Sequence, residues 1–184
     1  MTAAGREPRG HGGVRVGMYA AIASVIVLGG LGTLATAFRQ PLLFPSVGPT
    51  VMVLAERPRS ASAHPRNVVL GHLVGVAAGV GALFAFGLWS HPSVIVERVG
   101  LARVAAAAVS LAATALLLQV LRAPHAPAGA TTLIVSLGLL KSVDALLAIL
   151  AGIAFVTIVA TALNLLSGAR STLDTHREPP PKQY

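Results

Sequence analysis

Residues 40–55 read QPLLFPSVGPTVMVLA and residues 123–140 read APHAPAGATTLIVSLGLL, two uncharged stretches that begin with helix breakers and end without them. Proline lacks an N–H and clashes with the preceding turn, so Pro41 and Pro45, like Pro124 and Pro127, are expected to hold each first half extended. Beyond Gly48 and Gly129 the breakers stop, and the pattern predicts helices from residue 49 to about 57 and from residue 130 to about 140. Gly48-Pro49 puts proline at the first helical position, where its missing N–H costs nothing. At about 1.5 Å per residue these helices are roughly 13–17 Å long, half the thickness of a bilayer core.

Around them lie four uncharged stretches, residues 16–38, 67–90, 104–121 and 145–166, long enough or nearly so to cross a hydrocarbon layer of about 30 Å. The chain of 184 residues is 54% hydrophobic and 11% charged, with mean hydropathy +0.76. A soluble domain carries about 25% charged residues, so water is the wrong solvent. The fold class expected is all-α integral membrane, four transmembrane helices plus two Pro/Gly-broken half-helix segments. The first apolar run ends in Ala35-Thr36-Ala37, which imitates a signal-peptidase site, but it is too long for a signal peptide. Gly71, Gly75 and Gly79 recur every fourth residue and form a groove that the Ala-rich third full helix fits. The polar tails, residues 1–13 and 171–184, read as disordered, leaving one membrane domain over 14–170.

The order of elements repeats: full helix, extended Pro-rich lead, half helix, full helix. A shift of 81 positions aligns Gly48-Pro49-Thr50 with Gly129-Ala130-Thr131, and Gly71 with Gly152. The repeats run over about 14–90 and 101–170. If both half helices cross with both tails cytoplasmic, ten of the 14 Lys and Arg lie inside; if both turn back, eight do. The positive-inside rule favours the crossing topology, which makes the halves an inverted repeat in a multi-pass protein of the cell membrane.

Unwound backbone at membrane depth needs a water-filled cavity or a protein environment, and two such segments in corresponding places point to a binding site. Breakers precede the helix in both, so the central end is an N-terminus, whose unpaired N–H groups and partial positive charge favour an anion. Gly48 and Gly129 allow close approach to the backbone, and Ser46, Thr50, Thr131 and Thr132 supply hydroxyls. His125, beside Pro127, is a donor to an anion or an acceptor of a coupling proton, or else a brace for the turn. His72 beside Gly71 reads as a packed, hydrogen-bonded residue with a second reading in gating; His64 and His91 read as interfacial. Asp144 reads as a cap for the last helix, or a coupling carboxylate, and Lys141 as a snorkelling cation at the mouth. No charged residue is expected inside the four full helices.

The chain has no cysteine, and its histidines lack a close ligand spacing and a companion carboxylate, so no metal or cofactor is expected. GxSxG, HExxH and paired acidic motifs are absent, which argues against an enzyme. The net charge of +8 is dispersed over tails and loops, a pattern that suits anionic lipid and not nucleic acid.

At QPLLFPSVGPT (40–50), SAHPRNVVLGHLVG (62–75) and RAPHAPAGATTLI (122–134) the chain resembles the HPP family of integral membrane proteins. The resemblance extends from about Arg39 to Leu166 and implies four transmembrane helices and a small anion, nitrite, as the transported species. The eponymous His-Pro-Pro falls on His125-Ala126-Pro127, with alanine in place of the middle proline. The function expected is transport of a small inorganic anion through a bilayer. A passive anion channel and a non-transporting structural or regulatory subunit are the alternatives, and four full helices are few enough to suit a homo-oligomer.

Overall fold

The computed structural model describes residues 12–168. The tails expected to be disordered lie outside the described residues, save Gly12 and Gly13, which begin the first helix. Among the described residues there are seven α-helices and no strand: α1 (Gly12–Phe38), α2 (Val47–Glu56), α3 (Pro65–Ala85), α4 (Val94–Glu97), α5 (Leu101–Val120), α6 (Ala128–Ser136) and α7 (Val143–Leu166). A 3-10 turn at Ala61–Ala63 joins α2 to α3. Four helices, α1, α3, α5 and α7, are long and apolar enough to cross a membrane.

The short helices α2 and α6 each begin two residues before the expected starts at 49 and 130. Ser46 and Pro127, the residues before them, already have helical backbone angles. Pro49 is therefore the third helical residue, still within the first turn where no N–H is needed. A residue before proline normally avoids the helical region because its Cβ clashes with the ring, and Gly48 has no Cβ.

α6 ends at Ser136, short of the expected 140, because Gly138 turns at φ 75° and Leu139 donates back to Ile134 O at 3.0 Å. The same closure ends α3 at Ala85 instead of Ser90, with Gly87 at φ 65° and Leu88 N–H on Leu83 O at 2.7 Å. α1 and α5 close this way on arginine. Arg39 (φ 52°) and Arg122 (φ 49°) take the left-handed position, while Gln40 and Ala123 donate to Ala35 O and Leu118 O.

Two apolar clusters hold the bundle. One unites α1, α2 and α7 through Val27, Leu31, Val47, Val51, Leu54, Ile149 and Ile153. The other unites α3, α5 and α6 through Ala82, Leu83, Ala106 and Val135. Each cluster thus takes a long helix, the short helix that follows it, and the last long helix of the other half of the chain. The α3–α7 contact joins them.

The glycine groove of α3 takes α6, not the alanine-rich α5 expected in it. A Cβ on Gly75 would lie 2.8 Å from Ala128 O, and one on Gly79 would lie 2.7 Å from Val135 Cβ. Only glycine admits so close a backbone, and α6 presents the small residues Ala128 and Thr132 there. In α7, Gly152 serves the first extended segment in the same way, with Leu42 O 3.0 Å from its Cβ position.

The bundle is apolar outside and polar within: Val25, Ile95, Leu101 and Leu166 are exposed, while Ser46, Thr50, His72, Thr131 and Thr132 are fully buried. Lipid is the solvent that makes such an arrangement favourable.

Candidate functional site

α2, α3, α6 and the lead into α6 bring four of the expected site residues together. His72, from the buried face of α3, has Thr50 Oγ1 at 3.0 Å from Nε2 and Thr131 Oγ1 at 2.7 Å from Nδ1. His125 Nε2 lies 3.2 Å from His72 Nε2, and His125 Nδ1 lies 2.7 Å from Ser62 O in the 3-10 turn. The two rings meet edge to face with centroids 5.0 Å apart. His72 is the hub, packed and hydrogen-bonded as expected; Gly71, one residue earlier, is what lets His125 approach, since a Cβ there would sit 3.0 Å from His125 Cβ.

The protons of this cluster follow from its two carbonyls. Ser62 O only accepts, so His125 Nδ1 carries hydrogen and, in the neutral ring, Nε2 is bare. Two bare nitrogens facing at 3.2 Å would set lone pair against lone pair, so His72 Nε2 carries the hydrogen between them. His72 Nδ1 is then bare and accepts from the Thr131 hydroxyl. The one hydrogen on His72 Nε2 is shared between His125 Nε2 and Thr50 Oγ1, and Thr50 in turn donates to Ser46 O at 2.8 Å, so the first turn of α2 is one hydroxyl away from the histidine pair.

Ser46 precedes α2 and is wholly buried, yet its hydroxyl has no partner. A buried hydroxyl without a hydrogen bond costs about 1–3 kcal/mol, so one in a folded protein calls for an explanation. Val47 N–H donates to Phe44 O at 2.9 Å, but the amides that follow are underused. Gly48 N–H makes no backbone hydrogen bond, Pro49 has none to make, and Thr50 N–H reaches Ser46 O only at 3.4 Å. The start of α6 differs: Ala128, Gly129 and Ala130 donate to His125 O, Ala126 O and Pro127 O at 3.0–3.1 Å. Its amides are occupied, and the expectation that both helix starts offer free N–H groups holds only for α2.

The other expected residues take varied places. A Cβ on Gly48 would meet nothing within 4 Å, whereas one on Gly129 would meet Leu111 at 3.1 Å, so Gly129 serves packing against α5. Pro127 is buried ahead of α6 and makes no side-chain cap. Thr132 points to a second polar pair, with Thr114 Oγ1 at 2.8 Å and Ser110 O behind it. Lys141 is not at the cluster: it donates to Trp89 O at 2.8 Å and His91 O at 2.6 Å, tying the α3–α4 loop. Asp144 is exposed on the rim of an apolar cavity of about 560 Å³ that includes Leu31, Gln40 and Phe155. Ser142, not Asp144, caps α7, accepting from Ala145 N–H at 3.2 Å. His64 caps α3 through Arg66 N–H, and His91 pairs with Glu97 at 3.0 Å.

Arg103 puts a buried charge in the first turn of a long helix, just ahead of the charge-free stretch expected from residue 104. α5 begins earlier than residue 104, and Arg103 is only 3% exposed, donating to Pro92 O at 2.7 Å and Ser136 O at 3.4 Å. It faces the negative end of α6, where a cation is favoured, and among the described residues it pairs with no carboxylate. Asn164 closes α2 similarly, donating to Leu54 O at 2.9 Å while accepting from Tyr19 at 2.6 Å. Ser110 with Thr114, four apart in an alanine-rich run, and Asn164, a lone amide in an apolar one, were the sequence signals for these partners. Ser62 acts through its backbone and leaves none.

Four helices of membrane-spanning length around a buried histidine–threonine centre define a helical membrane protein. Comparison with known families makes the assignment specific: the family model described as HPP, transmembrane region, matches residues 10–172, and the chain belongs to that family. No curated protein and no solved structure matches it significantly.

Proposed function

We propose that this protein transports a small inorganic anion across a membrane, with the anion held at the start of α2 beside the histidine pair. The observation that carries the reading is Ser46: a fully buried hydroxyl with no partner, next to the free Gly48 N–H, at the positive end of a helix. A hydroxyl and an amide both donate, and a small anion accepts from both. Nitrite is the leading candidate, by the resemblance carried in the three motif segments.

Two internal repeats in inverted orientation supply the moving parts. That reading is supported by the 81-residue shift, which carries the start of α2 at 47 to the start of α6 at 128 and the end of α3 at 85 to the end of α7 at 166. It is also supported by the exchange of long helices between the two apolar clusters. Alternating access then exposes the α2 site to one side and the other in turn. Both tails face the cytoplasm in the crossing topology that the charge count favours.

The test is uptake of nitrite, nitrate, formate and chloride by proteoliposomes holding the purified chain. Saturable flux of at least one above empty vesicles is expected; no flux of any would overturn the proposal. Flux that fails to saturate would instead indicate a passive channel.

A further inference from the structure

The hydrogen-bond geometry of the histidine pair points to its co-substrate. We infer that the pair carries one proton for each anion, so that the protein is an electroneutral symporter of a proton and a monovalent anion. This rests on the anion-transport reading above and adds to it the coupling ion and the atoms that hold it.

Four ring nitrogens share the protons of the pair. In the neutral pair two are filled, His125 Nδ1 on Ser62 O and His72 Nε2 between the rings, and the Thr131 hydroxyl is committed to His72 Nδ1. A third proton has one arrangement compatible with the same distances. His125 Nδ1 stays filled, one proton stays between the two Nε2 atoms, and His72 Nδ1 becomes an N–H that donates to Thr131 Oγ1. A fourth would point two N–H groups at each other across 3.2 Å, so the pair changes by one charge and no more.

The third proton alters what the site offers. With His72 Nδ1 donating, Thr131 becomes an acceptor there and its own O–H is released. The two other buried threonines on these short helices, Thr50 and Thr132, donate to the carbonyls four residues back, at Ser46 and Ala128. Thr131 is the exception whose hydroxyl is held by a ring nitrogen and so answers to that ring's protonation. Proton uptake therefore adds a positive charge one hydroxyl away from the first turn of α2 and frees the Thr131 donor, and loss of the proton withdraws both. Neither ligand is well held without the other, which is the condition for coupling.

No other charge near the rings does this work. Of the ionisable groups on the elements packed around the pair, Glu56 of α2 and Arg66 of α3 are exposed, and α6 has none. Arg103 of α5 is bound to Pro92 O and Ser136 O, Asp144 of α7 is exposed, and His64 caps α3. Among the described residues none hydrogen-bonds to either ring, so the charge of the protonated pair is free to be balanced by the anion.

The experiment uses the full chain in proteoliposomes with a pH-sensitive dye inside, the potential clamped by potassium and valinomycin. Nitrite is the first probe and chloride the second, each against matched empty vesicles. The expected result is one proton entering per anion, a rate unchanged between clamped potentials, and uptake driven by an acid exterior alone. In His125→Gln and His72→Gln proton entry should vanish, and any anion flux that survives should follow the potential. Wild-type anion flux without proton entry, driven by potential, would overturn this inference and leave the transport reading intact. No anion flux at all would overturn both.

Discussion

The first turn of α2 and the first turn of α6 occupy corresponding places, each after a long helix and an extended proline-containing segment; each spends its first amide on the carbonyl three residues back, and beyond that they treat their polar groups differently. α6 spends its early amides on the three carbonyls before it and is pressed into the glycine groove of α3. α2 leaves the Ser46 hydroxyl and the Gly48 amide unused, and a Cβ on Gly48 would meet open space. A closed start positions side chains; an open one can hold a ligand. In the transport mechanism proposed above, that difference gives His72, His125 and Thr131 to control and Ser46 with Gly48 to binding.

Breaking the closed side should have the largest effect. Gly79→Ala or Gly75→Ala puts a methyl against Val135 Cβ at 2.7 Å or the Ala128 carbonyl at 2.8 Å, contacts that cannot yield without moving α6. Overpacking of this kind costs about 1–3 kcal/mol, so the melting temperature in detergent should fall together with flux. Thr131→Val keeps the shape but leaves His72 Nδ1 without its donor. Loss of one such hydrogen bond is worth roughly tenfold in affinity, and titration of anion binding should show it with intact expression. Flux unchanged in Thr131→Val would remove that residue from the site.

The sharpest contrast comes from Ser46→Ala. Its hydroxyl has no protein partner, so the substitution should leave thermal stability unchanged or slightly raised while weakening anion affinity by about fivefold to tenfold. A melting temperature that falls would mean the hydroxyl has a structural partner after all. Smallest is the glycine pair. Gly48→Ala meets no neighbour beyond its own chain segment but sets a Cβ against the Pro49 ring, so stability should fall by about 1 kcal/mol, and Gly129→Ala should cost only the shift of one Leu111 methyl, about 1 kcal/mol or less. Between them only Gly48→Ala should lower anion affinity.

The same contrast marks what the sequence could tell. Apolar runs of membrane length disclosed α1, α3, α5 and α7, and proline followed by clean apolar sequence disclosed α2 and α6 to within a few residues. The ends were less legible because they depend on single backbone angles: Gly87 and Gly138 closed helices that hydropathy alone would have extended. Within the site the residue types were legible and their pairing was not. His72 reaches Thr131 over 59 positions and His125 over 53, a consequence of α6 seating in a groove that reads equally well as a place for α5. Arg103 was hidden by lying two residues inside a helix whose start was expected later, and only the carbonyl end of α6 explains why its charge is buried. The difference between the two helix starts was legible in part, since the 81-residue shift sets Ser46 against Pro127 and Pro49 against Ala130; that the early amides of α6 are occupied was not, until the carbonyls before them are placed.

Where the anion sits is most directly tested by diffraction from crystals soaked in bromide, a small anion located by its anomalous scattering. The account expects the strongest peak in the membrane region within hydrogen-bond reach of Ser46 Oγ and Gly48 N, reduced in Ser46→Ala crystals. A strongest peak at Arg103 or at the start of α6, or no peak between the long helices, would contradict it.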